Sequence, residues 1–207
     1  MGESLEERQT GRTEAFSDGV FAFAITLLVI NLKDPGLSPG VDLFRGLLNE
    51  WPAFFALVTT FFTVLVMWVG HHNMFTFIRQ LDTKLMFANG LLLLVVVLTP
   101  FATILVADNL LTSQAREAAT VYAGLFLALS VIWNGLWYSL SRRKLIRKNI
   151  DERFIRSLGR QYSVGPLFYV FALVVSYFNA LASVVIILLA AVFFAITASI
   201  PKSSRTP

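Results

Sequence analysis

At 207 residues, with 56% hydrophobic and 14% charged positions, the chain is far more apolar than a soluble domain, where about 45–50% apolar and about 25% charged is usual. Its net charge of +4 is modest, and no nucleic-acid recognition fold accompanies the basic residues, so no nucleic-acid partner is expected. The absence of cysteine excludes disulfides, cysteine–zinc clusters and thiol nucleophiles.

The residues before Phe16 are polar and carry Glu3, Glu6, Glu7 and Glu14, the wrong makeup for a cleaved signal peptide. The first apolar segment is therefore expected to stay in the mature protein. A transmembrane helix needs about 20 mostly apolar residues, and six such spans are predicted. The first covers about 16–32 and is stopped by Lys33-Asp34-Pro35-Gly36, followed by a short loop with Pro39 and Gly40. The second covers about 51–70, with Trp51 and Trp68 as interfacial anchors, and can continue as helix past His71 and His72. The third, about 85–107, contains Pro100, which bends the helix or leans on a neighbour to satisfy the freed carbonyl.

The fourth span covers about 118–140 and includes Trp133, Asn134 and Trp137. The strongly basic stretch Arg142–Arg160 separates it from the last apolar run, Tyr162–Ile200, which is too long for one span. Division near Asn179 gives a hairpin with spans at about 162–179 and 181–200. None of these runs shows the period-two alternation of barrel strands. The expected class is all-α: a six-helix transmembrane bundle, polytopic, one transmembrane domain over 1–207.

Lys and Arg set the orientation. With six spans, one side holds Arg8, Arg12, Arg79, Lys84, the basic stretch, Lys202 and Arg205; the other holds only Lys33, Arg45 and Arg116. The positive-inside bias places both termini in the cytoplasm, and the basic stretch is expected to contact anionic lipid headgroups. The far side carries Asp34, Asp42, Glu50, Asp108 and Glu117, an acidic excess that mildly concentrates cations.

No catalytic motif is present: no phosphate-binding glycine loop, no HExxH, no GxSxG. His71 and His72 are adjacent, so on a helix they point about 100° apart. The i, i+4 spacing of helical metal sites is absent, and no metal is expected. What stands out is Arg12-Thr-Glu-Ala-Phe16-Ser17-Asp18-Gly19 at the mouth of the first helix. Asp18 reads either as a cap in a salt-bridged helix start or as an ionisable membrane group needing a partner inside the bundle. Arg12, His71 or His72, and Asn89 are the candidates. Downstream, Phe23, Thr26 or Leu27, and Ile30 recur at helical spacing and continue the stripe of Gly19; this face is a packing seam or a pore wall.

The Arg12-x3-Phe16-Ser17-Asp18-Gly19 signature opening an apolar helix resembles the transmembrane protein 175 family, potassium channels of lysosomes and endosomes with single-repeat prokaryotic homologues. Trp68-Val-Gly-His71-His72-Asn73-Met-Phe75 resembles the corresponding family segment at the end of the second span. The resemblance implies a homotetramer in a bacterial plasma membrane, with the first helix of each copy around a central pore. That pore has no carbonyl filter; apolar rings and a threonine ring narrow it. Carried over, Phe23, Thr26, Leu27 and Ile30 line the pore, and Arg12, Phe16, Ser17, Asp18, Gly19, His71 and His72 scaffold the pore helix. Phe23 departs from the family pattern, where an aliphatic residue is usual. The implied partners are other copies of the chain, membrane lipids and potassium ions; potassium is the permeant ion, and no cofactor or enzyme activity is implied. Two other readings stay open: a proton-coupled carrier or proton pathway using Asp18 and His71 or His72, and a non-conducting membrane scaffold.

Overall fold

The computed structural model describes residues 5–33, 42–142, 145–147 and 150–197. The Asp34–Gly36 stop, the loop with Pro39 and Gly40, Arg143, Lys144 and Lys148, residues 198–200, and Lys202 and Arg205 lie outside the described residues. The architecture is all-helical: α1 (Leu5–Leu27) running into a 3-10 turn (Leu28–Asn31), a short α2 (Leu43–Asn49), α3 (Trp51–Phe77), α4 (Thr83–Val97), α5 (Thr99–Asn109), α6 (Ala115–Arg142), α7 (Glu152–Ser176) and α8 (Ala180–Thr197). Among the described residues, six helical segments are long and apolar enough to cross a membrane, with α4 and α5 together forming the third.

Local chemistry explains the boundaries. Asp42, Asp82 and Asp151 each accept a backbone N–H, from Arg45, Leu85 and Arg153 respectively, and so cap the starts of α2, α4 and α7. Asn179 does the same for Ala182 at the start of α8, closing the hairpin from α7. Pro52 sits in the first turn of α3, where its missing N–H leaves no bond unmade. Pro100 acts differently: the third span breaks at Leu98, and the Thr99 hydroxyl donates to the Val96 carbonyl at 2.8 Å. The second span is helical through His71 and His72 as far as Phe77.

The helix that carries the fifth span starts at Glu152, ahead of the apolar run that begins at Tyr162. Arg153, Arg156 and Arg160 recur at i, i+3 and i+7, all exposed, while Leu158 is buried. The end of the basic stretch is therefore an amphipathic extension of a membrane helix, which a search for uncharged windows passes over.

Two apolar clusters form the interior. One gathers α1, α3, α4 and α6 with the segments after α3 and α6, around Phe21, Met74, Leu92 and Trp137. The other gathers α3, α5, α6, α7 and α8, around Phe126, Tyr169 and Ile187. Gly165 lets α7 approach α6 closely, since a Cβ there would lie 2.7 Å from Ser130 Oγ. Within the second half, a buried hydroxyl relay joins three helices: Thr60 Oγ1 lies 2.7 Å from both Tyr122 OH and Thr103 Oγ1. Thr103 donates its own proton to the Thr99 carbonyl. The hydrogens therefore run from Tyr122 to Thr60 to Thr103, and no member is left unpaired.

Outside the helices, Ile78 and Ile146 form an isolated antiparallel bridge, flanked by Arg79 N–H donating to the Leu145 carbonyl and Arg147 N–H to the Phe77 carbonyl. On the opposite face, Lys33 pairs with Asp108 at 2.6 Å and Arg116 with Glu117 at 2.8 Å. Two of the acids expected to draw cations there are thus neutralised by direct partners.

Candidate functional site on the first helix

The sequence of α1 sorts into two faces. Thr10, Ser17, Phe21, Ala24 and Leu28 are buried, a 7-4-3-4 progression that tracks one side of a helix. Opposite them, Arg12, Phe16, Gly19, Phe23, Thr26 and Ile30 are exposed, with Phe16 at 67%, Phe23 at 63% and Ile30 at 71%. Leu27 is half-buried and sits at the margin between the faces. Burying Phe21 and Leu28 stabilises the docking of α1 by roughly 1.5–3 kcal/mol each on the usual transfer scale.

The buried face is held by a directional polar chain. Ser17 Oγ donates to the Thr13 carbonyl at 2.8 Å and accepts from Asn89 Nδ2 at 2.9 Å. The other end of the same amide, Asn89 Oδ1, lies 2.9 Å from His71 Nε2. With the amide so oriented, Nε2 carries the imidazole proton, and Nδ1 is buried with no partner. The ring is wedged between Phe21, 5.3 Å away, and Phe75, stacked at 4.5 Å.

A second set of contacts lies along the flank. Asp18 Oδ1 accepts from Trp68 Nε1 at 2.8 Å. Glu14 Oε1 meets His72 Nδ1 at 2.9 Å, and the His72 ring stacks against Trp68 with centroids 6.2 Å apart. His71 and His72 thus point into different surroundings, one fully buried and one half-exposed.

These contacts correct the expected pairings. Asp18 is satisfied by Trp68, which sequence reasoning treats as an interfacial anchor. Asn89 is a partner, but of Ser17 and His71. Arg12 pairs with none of the described residues and stands on the exposed face with Phe16 and Gly19. Glu14 and Trp68 were not among the expected site residues. Glu14 falls one turn before Asp18, and Trp68 one turn before His72, so i, i+4 spacing is the signal that marks them.

On the exposed face, Thr26 Oγ1 donates to the Phe23 carbonyl at 2.8 Å. Its proton is spent inside the helix, and the oxygen lone pairs remain as acceptors.

The chain is similar to known channels over most of its length. The family model described as endosomal/lysosomal potassium channel TMEM175 matches residues 12–100, which include most of α1, Trp68, His71 and His72 of α3, and Asn89. A potassium channel of Chamaesiphon minutus is 41% identical over 199 residues, covering 95% of this chain and 98% of that one. A potassium channel of Streptomyces collinus is 37% identical over 163 residues, 78% of this chain and 79% of the other. The human endosomal/lysosomal proton channel TMEM175 is 34% identical over 77 residues, only 33% of this chain and 15% of that protein. The crystal structure of a lysosomal potassium-selective channel TMEM175 homolog from Chamaesiphon minutus superposes with a TM-score of 0.83 at 40% identity, over 93% of this chain and 99% of that one.

Proposed function

The chain belongs to the TMEM175 potassium-channel family, and from that premise we propose that four copies surround a potassium-permeable pore lined by α1. One observation carries this reading: among the described residues nothing covers the Phe23–Thr26–Ile30 face, while the opposite face of the same helix is fixed by buried side chains and hydrogen bonds. In a fourfold ring, Phe23, Leu27 and Ile30 supply apolar layers that close the path by dewetting. Four Thr26 oxygens replace part of a cation's hydration shell. The bulk of Phe23 makes it the gate-forming layer, and a single acceptor ring gives only moderate discrimination between potassium and sodium. Ser17, Asp18, His71 and His72 act as scaffold and set the direction in which this stripe points.

The protein is an integral membrane protein whose termini face the cytoplasm of a bacterial plasma membrane. The exposed Arg153, Arg156 and Arg160 lie on the same side of α7 as exposed Leu167 and Phe171, which suits contact with anionic phospholipid. Potassium is the permeant ion, and the reading includes no cofactor and no enzyme activity. Purified protein in liposomes should carry potassium flux, and Thr26→Ala should change the potassium-to-sodium permeability ratio. An absence of flux refutes the channel; an unchanged ratio refutes the Thr26 layer.

A second reading, a proton pathway, draws support from the Glu14–His72 pair beside Asp18 and from mammalian relatives named as proton channels. It requires flux that depends on a proton gradient and disappears in a folded Asp18→Asn variant.

A further inference from the structure

Three metal-ligating side chains converge at the flank of α1. Glu14 and Asp18 stand one turn apart on that helix, His72 reaches them from α3, and one ligand atom from each lies within 4.8 Å of the other two. Spacing within α3 alone gives no metal set; two of the three ligands come from a helix more than fifty positions away in sequence. The pair Glu14–His72 is in contact at 2.9 Å, and Asp18 brings a second carboxylate beside it. Arg12 of the same helix does not reach either acid.

We propose that Glu14, Asp18 and His72 form a binding site for a divalent transition cation of the zinc type, which clasps α1 to α3. Zinc takes imidazole nitrogen at about 2.0–2.1 Å and carboxylate oxygen at about 2.0–2.2 Å. Tetrahedral placement at those lengths separates ligand atoms by about 3.3 Å, within the range the three atoms already span, so side-chain rotation completes the set. The His72 side chain is 51% exposed, which leaves an approach from solvent and a fourth position for water. The surroundings are those of a supported site. Trp68 Nε1 donates to Asp18 Oδ1, and its ring stacks on the His72 imidazole, so one residue orients two of the ligands. One nitrogen and two carboxylates suit a borderline cation; magnesium and calcium call for six or more oxygen ligands. The site lies off the exposed Phe16–Phe23 face and does not depend on whether that face conducts.

Zinc titrated calorimetrically into the purified full-length protein in detergent should saturate at one ion per chain. Glu14→Gln and His72→Gln should each weaken binding at least tenfold. Cobalt in place of zinc should give the intense visible bands of a four-coordinate nitrogen–oxygen site, absent from both variants. Melting of the unaltered protein supplies an arm free of substitutions: zinc should raise the midpoint, a chelator should reverse the rise, and magnesium should leave it unchanged. No saturable zinc binding, an undiminished affinity in both variants, or no zinc-dependent rise in the midpoint overturns the proposal.

Discussion

Removal of the Asn89 amide tests the polar chain that seats α1. Asn89→Ala deletes the acceptor of His71 Nε2–H and the donor to Ser17 Oγ at once. Ser17 keeps its bond to the Thr13 carbonyl, so its loss is partial. His71 fares worse: its Nδ1 is already unpartnered, and the substitution leaves a fully buried imidazole with no hydrogen bond at all. A stranded buried donor costs about 1–3 kcal/mol, and loss of side-chain volume adds to it, for a total of about 3 kcal/mol. For a chain of this size that corresponds to a fall in melting midpoint of roughly 6–12 °C. The companion variant His71→Phe/Asn89→Leu removes both polar partners together. Its phenyl ring enters a slot already bounded by Phe21 and Phe75, and replacing both partners by apolar groups can be nearly neutral. The double variant should therefore melt above Asn89→Ala, and the cycle of His71→Phe, Asn89→Leu and the two together measures the coupling of the pair. Scanning fluorimetry on the detergent-solubilised protein reads both. If Asn89→Ala melts within about a degree of the unaltered protein, the chain is not what holds α1, and the reasoning fails.

Other substitutions separate the two faces and the two cores. Thr26→Ala should leave the melting midpoint nearly unchanged, because Thr26 is exposed and its one hydrogen bond is within its own helix; a large drop would mean the residue is structural. Phe23→Ala should raise potassium flux in liposomes by opening the bulkiest apolar layer, and reduced flux in a folded protein would count against Phe23 as a gate. Tyr122→Phe removes the hydrogen that starts the Thr60–Thr103 relay and should destabilise by about 1 kcal/mol, seen as a melting shift of about 2–4 °C. Gly165→Ala sets its Cβ against Ser130 Oγ at 2.7 Å, so adding Ser130→Ala should raise the midpoint of that variant; no rise would show that the contact relaxes freely.

Long apolar windows made the helices legible, because a membrane helix must supply about 20 such residues whatever it packs against. The faces of α1 were also legible in outline, since Phe23, Thr26 and Ile30 repeat at helical spacing. Pairings across helices were not. Asp18 is matched to Trp68 and Ser17 to Asn89 by the relative rotation of α1, α3 and α4, a quantity that no single helix encodes. An indole N–H that serves equally well at a membrane interface or on a carboxylate gives no sign of which it meets. The start of α7 at Glu152 was hidden for another reason: its arginines all lie on one exposed face, which periodicity detects and mean apolarity does not.

The Ile78–Ile146 bridge has a mechanical corollary. By joining the segment after α3 to the segment after α6, it closes α4, α5 and α6 into a backbone-bonded loop. Among the described residues, α1 makes no backbone hydrogen bond to that loop and is registered against it only by side chains. Twisting α1 about its long axis therefore strains side-chain links that include Ser17–Asn89 to the loop and Asp18–Trp68 and Glu14–His72 to α3, and leaves the loop's backbone bonds intact. At about 0.5–1.5 kcal/mol net per link, the polar resistance to such a turn is a few kcal/mol. That amount is small enough for thermal motion to reach and large enough for a bound ligand to lock.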